Sequence, residues 1–190
     1  MNSYLFIPII IFGVLAYGSA IVQMHLGQYS PSFFSRAIWL LLGINSFAGV
    51  ALGGGSPASK LLAATLLFGN AAVFVVSIKK GSREFGFTEK ISLTLFGVSC
   101  VIWVTLDAAL INLIIGLVAH FVGGIPTILR TIKYPRSEKA LHWYFFVMAS
   151  ILTVIGSNPK TARSILFPVY FVCFDGLIIF LVNRQRLLKS

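Results

Sequence analysis

Asp175 is the residue of this sequence best suited to chemistry, because it is a lone carboxylate inside an apolar stretch. The stretch SILFPVYFVCFDGLIIFLV, residues 164–182, contains no other charged residue. A charged aspartate at the centre of a membrane helix costs about 2.5–3.5 kcal/mol, so such residues face a cavity or a partner. Asp175 is therefore either protonated or in contact with water, a cation or a polar solute. The alternative is a neutral acid bonded to another helix, at Asn45 or Ser99.

Four further polar side chains lie within apolar stretches and are candidates for binding a solute together with Asp175. They are Asn70 in LLFGNAAVFVV, Asn45 in LLGINSFAG, His120 in GLVAHFVGG and Tyr17 in GVLAYGSAI. Each also fits a packing residue that bonds to a neighbouring helix, an interaction that contributes about 0.6–2 kcal/mol in a membrane.

Motifs typical of enzymes are absent from the sequence. It has no Gly-Lys-Ser phosphate loop, no Cys/His metal set and no Ser-His-Asp arrangement at one depth. The two cysteines, Cys100 and Cys173, lie in apolar stretches and fit small buried hydrophobic residues. We expect no catalytic residue, no metal, no cofactor and no enzymatic activity. A membrane-embedded enzyme or assembly factor, using Asp175 with Asp107 or His120, is a weaker alternative.

The composition indicates a membrane protein. Hydrophobic residues make up 57% of the chain and charged residues only 11%, whereas soluble domains have about 25% charged residues. The net charge of +10 would suit nucleic acid if it lay on one face. Instead, Lys and Arg occur in short clusters between apolar runs, as in loops beside an anionic membrane leaflet. The expected partners are therefore a lipid bilayer and a small solute, and not a nucleic acid.

Seven apolar runs indicate seven membrane-spanning helices, since backbone groups in lipid must be satisfied within each segment. The runs cover residues 4–24, 37–52, 61–78, 91–106, 108–129, 140–155 and 164–182. A single helix over 91–129 would approach 60 Å, about twice the hydrocarbon thickness. A tight turn is therefore expected at Asp107. The first run has no Lys or Arg before it and is too long for a signal peptide, so we interpret it as a retained helix.

The basic residues are distributed unequally between the two sides of these spans. Three lie on one side, namely Lys60, Lys160 and Arg163, and the other twelve lie on the opposite side. The positive-inside rule then places the N-terminus outside and the C-terminus in the cytoplasm. This count assigns Arg36 to a cytoplasmic loop, so no basic residue is expected in an apolar core beside Asp175.

Residues near the cytoplasmic ends of the spans allow two further interpretations. Trp39, Trp143 and Tyr144 begin short spans and fit an aromatic belt at the membrane interface. Pro126 lies near the end of the fifth run, where it removes a backbone hydrogen bond and leaves a carbonyl free. We interpret Pro126 as a candidate hinge.

An internal repeat emerges when the chain is shifted by 103 residues. GVLAYGSAIVQ then aligns with GLVAHFVGGIP, and GGGSPASK with GSNPKTAR. Because a three-span unit has an odd number of spans, the fourth span brings both units into the same orientation. The predicted organisation is a first repeat at 1–80, a loop and linker helix at 81–106, and a second repeat with a basic tail at 107–190. A further shift of two residues aligns Asn70 with Asp175.

This 3+1+3 plan resembles the SWEET sugar transporters and the wider PQ-loop superfamily. The best local similarity is GGIPTILRTIKYPRSEKALHW, residues 123–143, which is similar to the family's proline, basic loop and following aromatic residues. The Pro-Gln pair of the family is not intact, since Pro126 stands alone and the first repeat has Gln23 without a proline. The resemblance implies that Asn70 faces a central cavity and contacts substrate, with Asp175 as an acid at the equivalent position.

The function expected from these features is transport of a small polar solute by alternating access. The solute would be sugar-like or nucleoside- or vitamin-like, and transport would be facilitated or coupled to protons. A non-transporting receptor or scaffold of the KDEL-receptor kind is the alternative, and it would need an outer cavity rich in arginine. We expect a multi-pass protein of the plasma membrane, and homo-oligomerisation stays open.

Overall fold

The computed structural model describes residues 3–83, 85–106, 108–134 and 140–187. Across these ranges the chain forms seven α-helices, each corresponding to one predicted run. After a short 3-10 turn (Ser3–Leu5) they are α1 (Phe6–His25), α2 (Phe33–Leu52), α3 (Pro57–Lys80), α4 (Phe87–Leu106), α5 (Ala109–Lys133), α6 (Ala140–Gly156) and α7 (Ala162–Leu187). The turn predicted at Asp107 and the loop residues 135–139 lie outside the described residues.

The helices have the length and surface of a membrane protein. All of them except the 17-residue α6 are long and apolar enough to cross a bilayer, and α6 is a shorter apolar helix. Large apolar side chains such as Phe68, which is 73% exposed, cover the outer surface and require lipid rather than water around them. The chain is an all-α, multi-pass membrane protein, as the sequence predicted.

Serine side chains set where two of the helices begin. Ser32 accepts a hydrogen bond from the Ser35 N–H at 3.3 Å, and Ser56 accepts one from the Ser59 N–H at 3.2 Å. Such caps satisfy backbone donors that have no partner within the helix. With Ser32 as its cap, α2 begins four residues before the apolar run at 37–52 and includes Arg36 in its first turn.

The helices pack as a ring of six with one helix outside it. α3 lies between α1 and α2, and α7 lies between α5 and α6; α1 packs on α6, and α2 packs on α5. α4 packs outside the ring against α5 and α2. The neighbours within the ring, without α4, are unchanged when α1, α2 and α3 are exchanged with α5, α6 and α7. This symmetry fits a pair of three-helix repeats, although the predicted boundaries of the repeats are not tested by it.

The starts of corresponding helices agree with the two-residue shift that aligns Asn70 with Asp175. The starts of α1 and α5 are 103 residues apart, and the starts of α3 and α7 are 105 apart. Asn70 and Asp175, also 105 residues apart, occupy corresponding positions on α3 and α7.

Candidate functional site

A central cavity of about 30 Å³ lies inside the ring and is lined by side chains from all six of its helices. This volume has room for one or two water molecules, so the helices are closed around it. The polar residues of its wall are Tyr17, Arg36, Asn70, His120, His142 and Asp175. Its aromatic side chains include Trp39, Trp143, Phe146 and Phe171.

Four of the five predicted substrate-binding residues share this cavity. Tyr17, Asn70, His120 and Asp175 come from α1, α3, α5 and α7 and all line its wall. The structure thus brings together residues that are up to 158 positions apart in the sequence. Their contact with a substrate stays a prediction.

Asn45 lies elsewhere, at the interface between α2 and α4. Its Nδ2 donates a hydrogen bond to Ser99 Oγ at 3.4 Å, and its Oδ1 lies 3.9 Å from the Cys100 sulfur. Asn45 and Ser99 therefore bond to each other, and the alternative in which either holds Asp175 is wrong. The position of Asn45 in its apolar run predicts a suitable depth in the membrane, but its environment depends on how α4 packs against α2.

Asp175 is fixed at its depth by a close approach of α5 and α7. A Cβ atom on Gly124 would lie 2.5 Å from Cζ of Phe174, the residue before Asp175. Only a residue without a side chain lets the two helices approach so closely. Asp175 is 2% exposed, and its Oδ2 has no hydrogen-bond partner.

Asn70 is placed by the corresponding approach of α1 and α3. The ring of Tyr17 lies over Gly69, where a Cβ atom would be only 1.9 Å from Tyr17 Cδ2. The same ring makes an edge contact with Phe146 of α6, with centroids 4.8 Å apart. Tyr17 thus joins three helices beside Asn70.

Half of the buried polar atoms without partners in the described residues belong to side chains that line the central cavity. Four of its lining residues carry one each: Trp39 Nε1, His142 Nδ1, Trp143 Nε1 and Asp175 Oδ2. Because most buried polar groups in native proteins are hydrogen-bonded, each such atom needs an explanation. A bound solute or water would satisfy them, so this concentration favours the cavity as a binding site.

His120 is held by aromatic neighbours. Its Nδ1 lies 2.8 Å from the Tyr170 hydroxyl, and its ring stacks on Trp39 with centroids 4.9 Å apart. This bond and this stacking fix the orientation of the imidazole in the cavity wall. Within the described ranges, no three His, Cys, Asp or Glu side chains lie close enough together to hold a metal ion.

Arg36 corrects the expectation that no basic residue lies beside Asp175. The side chain is 8% exposed and lines the central cavity. Its guanidinium lies over the Trp39 ring, 4.6 Å from the centroid, and donates a hydrogen bond to the Tyr29 hydroxyl. The prediction was wrong because the apolar run begins after Arg36, whereas the helix begins before it. The three-residue spacing of Arg36 and Trp39, which puts both on one helix face, was the signal that could have found it.

Two tryptophans also differ from their predicted role in an aromatic belt. Trp39 and Trp143 are 7% and 4% exposed and line the central cavity. Tyr144, the third residue of the predicted belt, is exposed. The belt interpretation is wrong for the tryptophans because the adjacent helices cover their rings.

A second cavity, which we call the vestibule, adjoins the central one at the end of the bundle where α2 begins. It measures about 180 Å³ and shares Arg36 and Trp39 with the central cavity. Hydroxyl-bearing residues line much of it, together with Glu89, Arg130 and Pro126. Glu89 accepts hydrogen bonds from Ser35 Oγ at 2.6 Å and from the Gly86 N–H at 3.0 Å. The basic clusters of the sequence lie at this end, which the positive-inside rule assigns to the cytoplasm.

Pro126, the predicted hinge, lies in the wall of the vestibule. α5 continues as a helix on both sides of it, from Ala109 to Lys133. A bending role for Pro126 stays a prediction.

Four buried serines close the opposite end of the bundle; we call them the serine cluster. Ser56 and Ser157 are joined Oγ to Oγ at 2.9 Å, Ser59 and Ser157 at 3.2 Å, and Ser59 donates to the Ser164 carbonyl. These bonds connect the start of α3 with the end of α6 and the start of α7. Ser59 and Ser164 are also 105 residues apart, so the cluster joins corresponding positions of the two halves.

Comparison with protein-family models, curated proteins and solved structures finds no significant match to the chain. The resemblance to SWEET and PQ-loop proteins therefore stays a hypothesis that rests on span order and one local motif.

Proposed function

We propose that this protein transports a small polar solute across a membrane by alternating access around the central cavity. The observation that carries the proposal is the concentration of buried, unpartnered polar atoms in a cavity enclosed by both helix triplets. Transporters built from repeats typically bind their substrate at such a site, near the middle of the membrane and between the repeats.

The difference between the two ends of the bundle supports the proposal. The vestibule reaches the central cavity from one end, and only Arg36 and Trp39 line both. The serine cluster closes the other end through hydrogen bonds between the triplets. A movement of one triplet against the other would break the serine contacts and narrow the vestibule, which is the exchange that alternating access requires.

A non-transporting receptor is the second candidate, and burial of Arg36 favours it, because a buried arginine suits a carboxylate-bearing ligand. Against it, the serine cluster closes the end that would receive an outside ligand.

Accessibility of a cysteine at position 70 tests transport without knowledge of the solute. We expect Asn70→Cys, in a Cys100→Ser/Cys173→Ser background, to react with a membrane-impermeant maleimide added to either face of oriented vesicles. Phe68→Cys, two residues away on the lipid-facing surface, should react from neither face. Ser82→Cys in the vestibule should react from one face only. Labelling of position 70 from a single face would favour the receptor.

A further inference from the structure

Arg36 is a buried cation without an ion pair in the described part of the chain. Its side chain is 8% exposed and makes one hydrogen bond, to the Tyr29 hydroxyl. The guanidinium carries five N–H donors, so most of its hydrogen-bonding capacity is unused. A buried charge is retained only where a counter-charge or strong hydrogen bonds compensate its desolvation.

The described carboxylates do not satisfy Arg36. Glu89 lines the vestibule with Arg36 but accepts its hydrogen bonds from Ser35, Thr88 and the Gly86 N–H. Asp175 lines the central cavity with Arg36, yet its Oδ2 has no partner. The guanidinium and the carboxyl group thus line one small cavity without forming a salt bridge to each other.

Arg36 lies at the boundary between the two cavities. With Trp39 it lines both the vestibule and the central cavity. The guanidinium and the indole on which it stacks therefore lie between the vestibule and the Asp175 end of the central cavity. Cation and aromatic ring together form a surface that can hold a planar anionic group.

We propose that the solute is a small carboxylate, whose anionic group binds Arg36 and whose hydroxyl or amino group donates to Asp175. This inference takes the site from the proposed function and adds the class of substrate. It replaces the neutral, sugar-like solute expected from the sequence, because a neutral solute would leave Arg36 without a counter-charge.

A carboxylate fits the cavity better than a phosphate does. A planar carboxylate accepts two parallel hydrogen bonds from a single guanidinium. A phosphate dianion needs more positive charge than is supplied by the one arginine that lines the central cavity among the described residues. Trp143, which also lines the cavity, has an unpartnered N–H group that offers one further donor to a carboxylate oxygen.

Thermal unfolding of the purified full chain with matched ligands tests the proposal. The probes are three pairs, each a carboxylate with its neutral or non-acidic counterpart: gluconate with glucose, nicotinate with nicotinamide, and phenylalanine with phenylalaninol. We expect at least one carboxylate to stabilise the protein at a concentration about tenfold or more below that of its counterpart. The proposal is overturned if no carboxylate does so.

Variants of Arg36 decide whether the guanidinium is responsible. Arg36→Gln should weaken carboxylate binding by about 30-fold or more, as expected when one partner of a buried charge pair is removed. Arg36→Lys, which keeps the charge without the two-pronged geometry, should give a smaller loss, and it serves as the test if Arg36→Gln does not fold. Arg130→Gln removes an equal charge from the vestibule alone and should change binding less than about threefold. Equal binding by wild type and both Arg36 variants would refute the assignment.

Uptake into proteoliposomes separates this inference from the proposed function. Carboxylate binding that depends on Arg36 but is accompanied by no uptake would refute transport and leave the ligand class intact. Saturable uptake of glucose, nicotinamide or phenylalaninol that is unchanged in Arg36→Gln would support transport and refute the carboxylate.

Discussion

At the scale of single residues, the candidate site contains polar groups whose hydrogen-bonding capacity is not fully used within the described part of the protein. The Asp175 carboxyl group and the Arg36 guanidinium line one cavity without bonding to each other. Asn70, at the corresponding position of α3, adds an amide that can both donate and accept. A solute binds in this cavity only if the donors and acceptors of the solute match these three groups. Replacing the three groups should therefore weaken binding more than it destabilises the fold.

Asp175→Asn is expected to keep the fold and lose solute uptake. The amide has nearly the same shape as the carboxyl group but never carries a negative charge, so the variant should unfold within a few degrees of wild type. Uptake of the stabilising solute into proteoliposomes should fall at least about tenfold, the effect of losing one charge-assisted hydrogen bond. Asn45→Ala is the control, because Asn45 bonds to Ser99 outside the cavity and its loss should lower stability but not uptake. Full uptake by Asp175→Asn would remove this carboxyl group from the mechanism.

Gly69→Ala should destabilise the protein because the added methyl group meets the Tyr17 ring. The Cβ atom would lie 1.9 Å from Tyr17 Cδ2, so the ring or the helices must move, which typically costs about 1–3 kcal/mol. Gly18→Ala, on α1, meets no atom within 4 Å and should leave stability unchanged or slightly raised, since alanine favours a helix. Thermal unfolding in detergent compares the two. Equal unfolding temperatures would show that α1 and α3 do not depend on this contact.

At the scale of the helices, much of the fold could be predicted because lipid leaves the backbone few alternatives. The apolar runs predicted all seven helices, and the parallel repeat predicted residues that do share a cavity, such as Tyr17 with His120. What failed was the assignment of residues near helix ends. Hydropathy placed Arg36 in a loop, whereas the Ser32 cap extends α2 past it.

The environment of a residue on its helix was the second feature that the sequence could not predict. The depth of Asn45 resembles that of other polar residues, but its environment depends on α4 packing against α2 outside the ring. Trp39 and Trp143 likewise have positions typical of an interface, and only the closure of the ring buries them. Packing between distant segments decides these cases, and a single sequence carries little information about it.

At the scale of the whole molecule, the two triplets meet through different contacts at the two ends of the bundle. The vestibule separates them at one end, and the serine cluster joins them at the other. The two ends of the bundle therefore differ, although exchanging α1, α2 and α3 with α5, α6 and α7 leaves the neighbours within the ring unchanged. Such a state fits one half of a transport cycle, and the other half would require the serine cluster to open.

A disulfide across the serine cluster should stop the cycle. In the background without native cysteines, Ser56→Cys/Ser157→Cys should form a disulfide on oxidation, because the serine Oγ atoms are 2.9 Å apart. Uptake should then fall at least about tenfold, because the cross-linked end cannot open, and should recover after reduction. Ser157→Cys alone, treated with the same oxidant, should keep its uptake. Unchanged uptake by the cross-linked protein would place the pathway elsewhere.

The small volume of the central cavity affects whether hydrated inorganic ions can cross the membrane through the protein. The cavity has room for one or two water molecules. A solute transported as proposed must therefore lose its hydration shell, and contacts with indole, amide and guanidinium groups replace the lost water. Inorganic cations such as sodium hold their hydration shells most strongly and meet a positive charge at the passage, so they gain least from this exchange. In the proposed transport cycle, the cost of dehydration therefore opposes the passage of such cations more than that of a solute whose groups match the cavity wall.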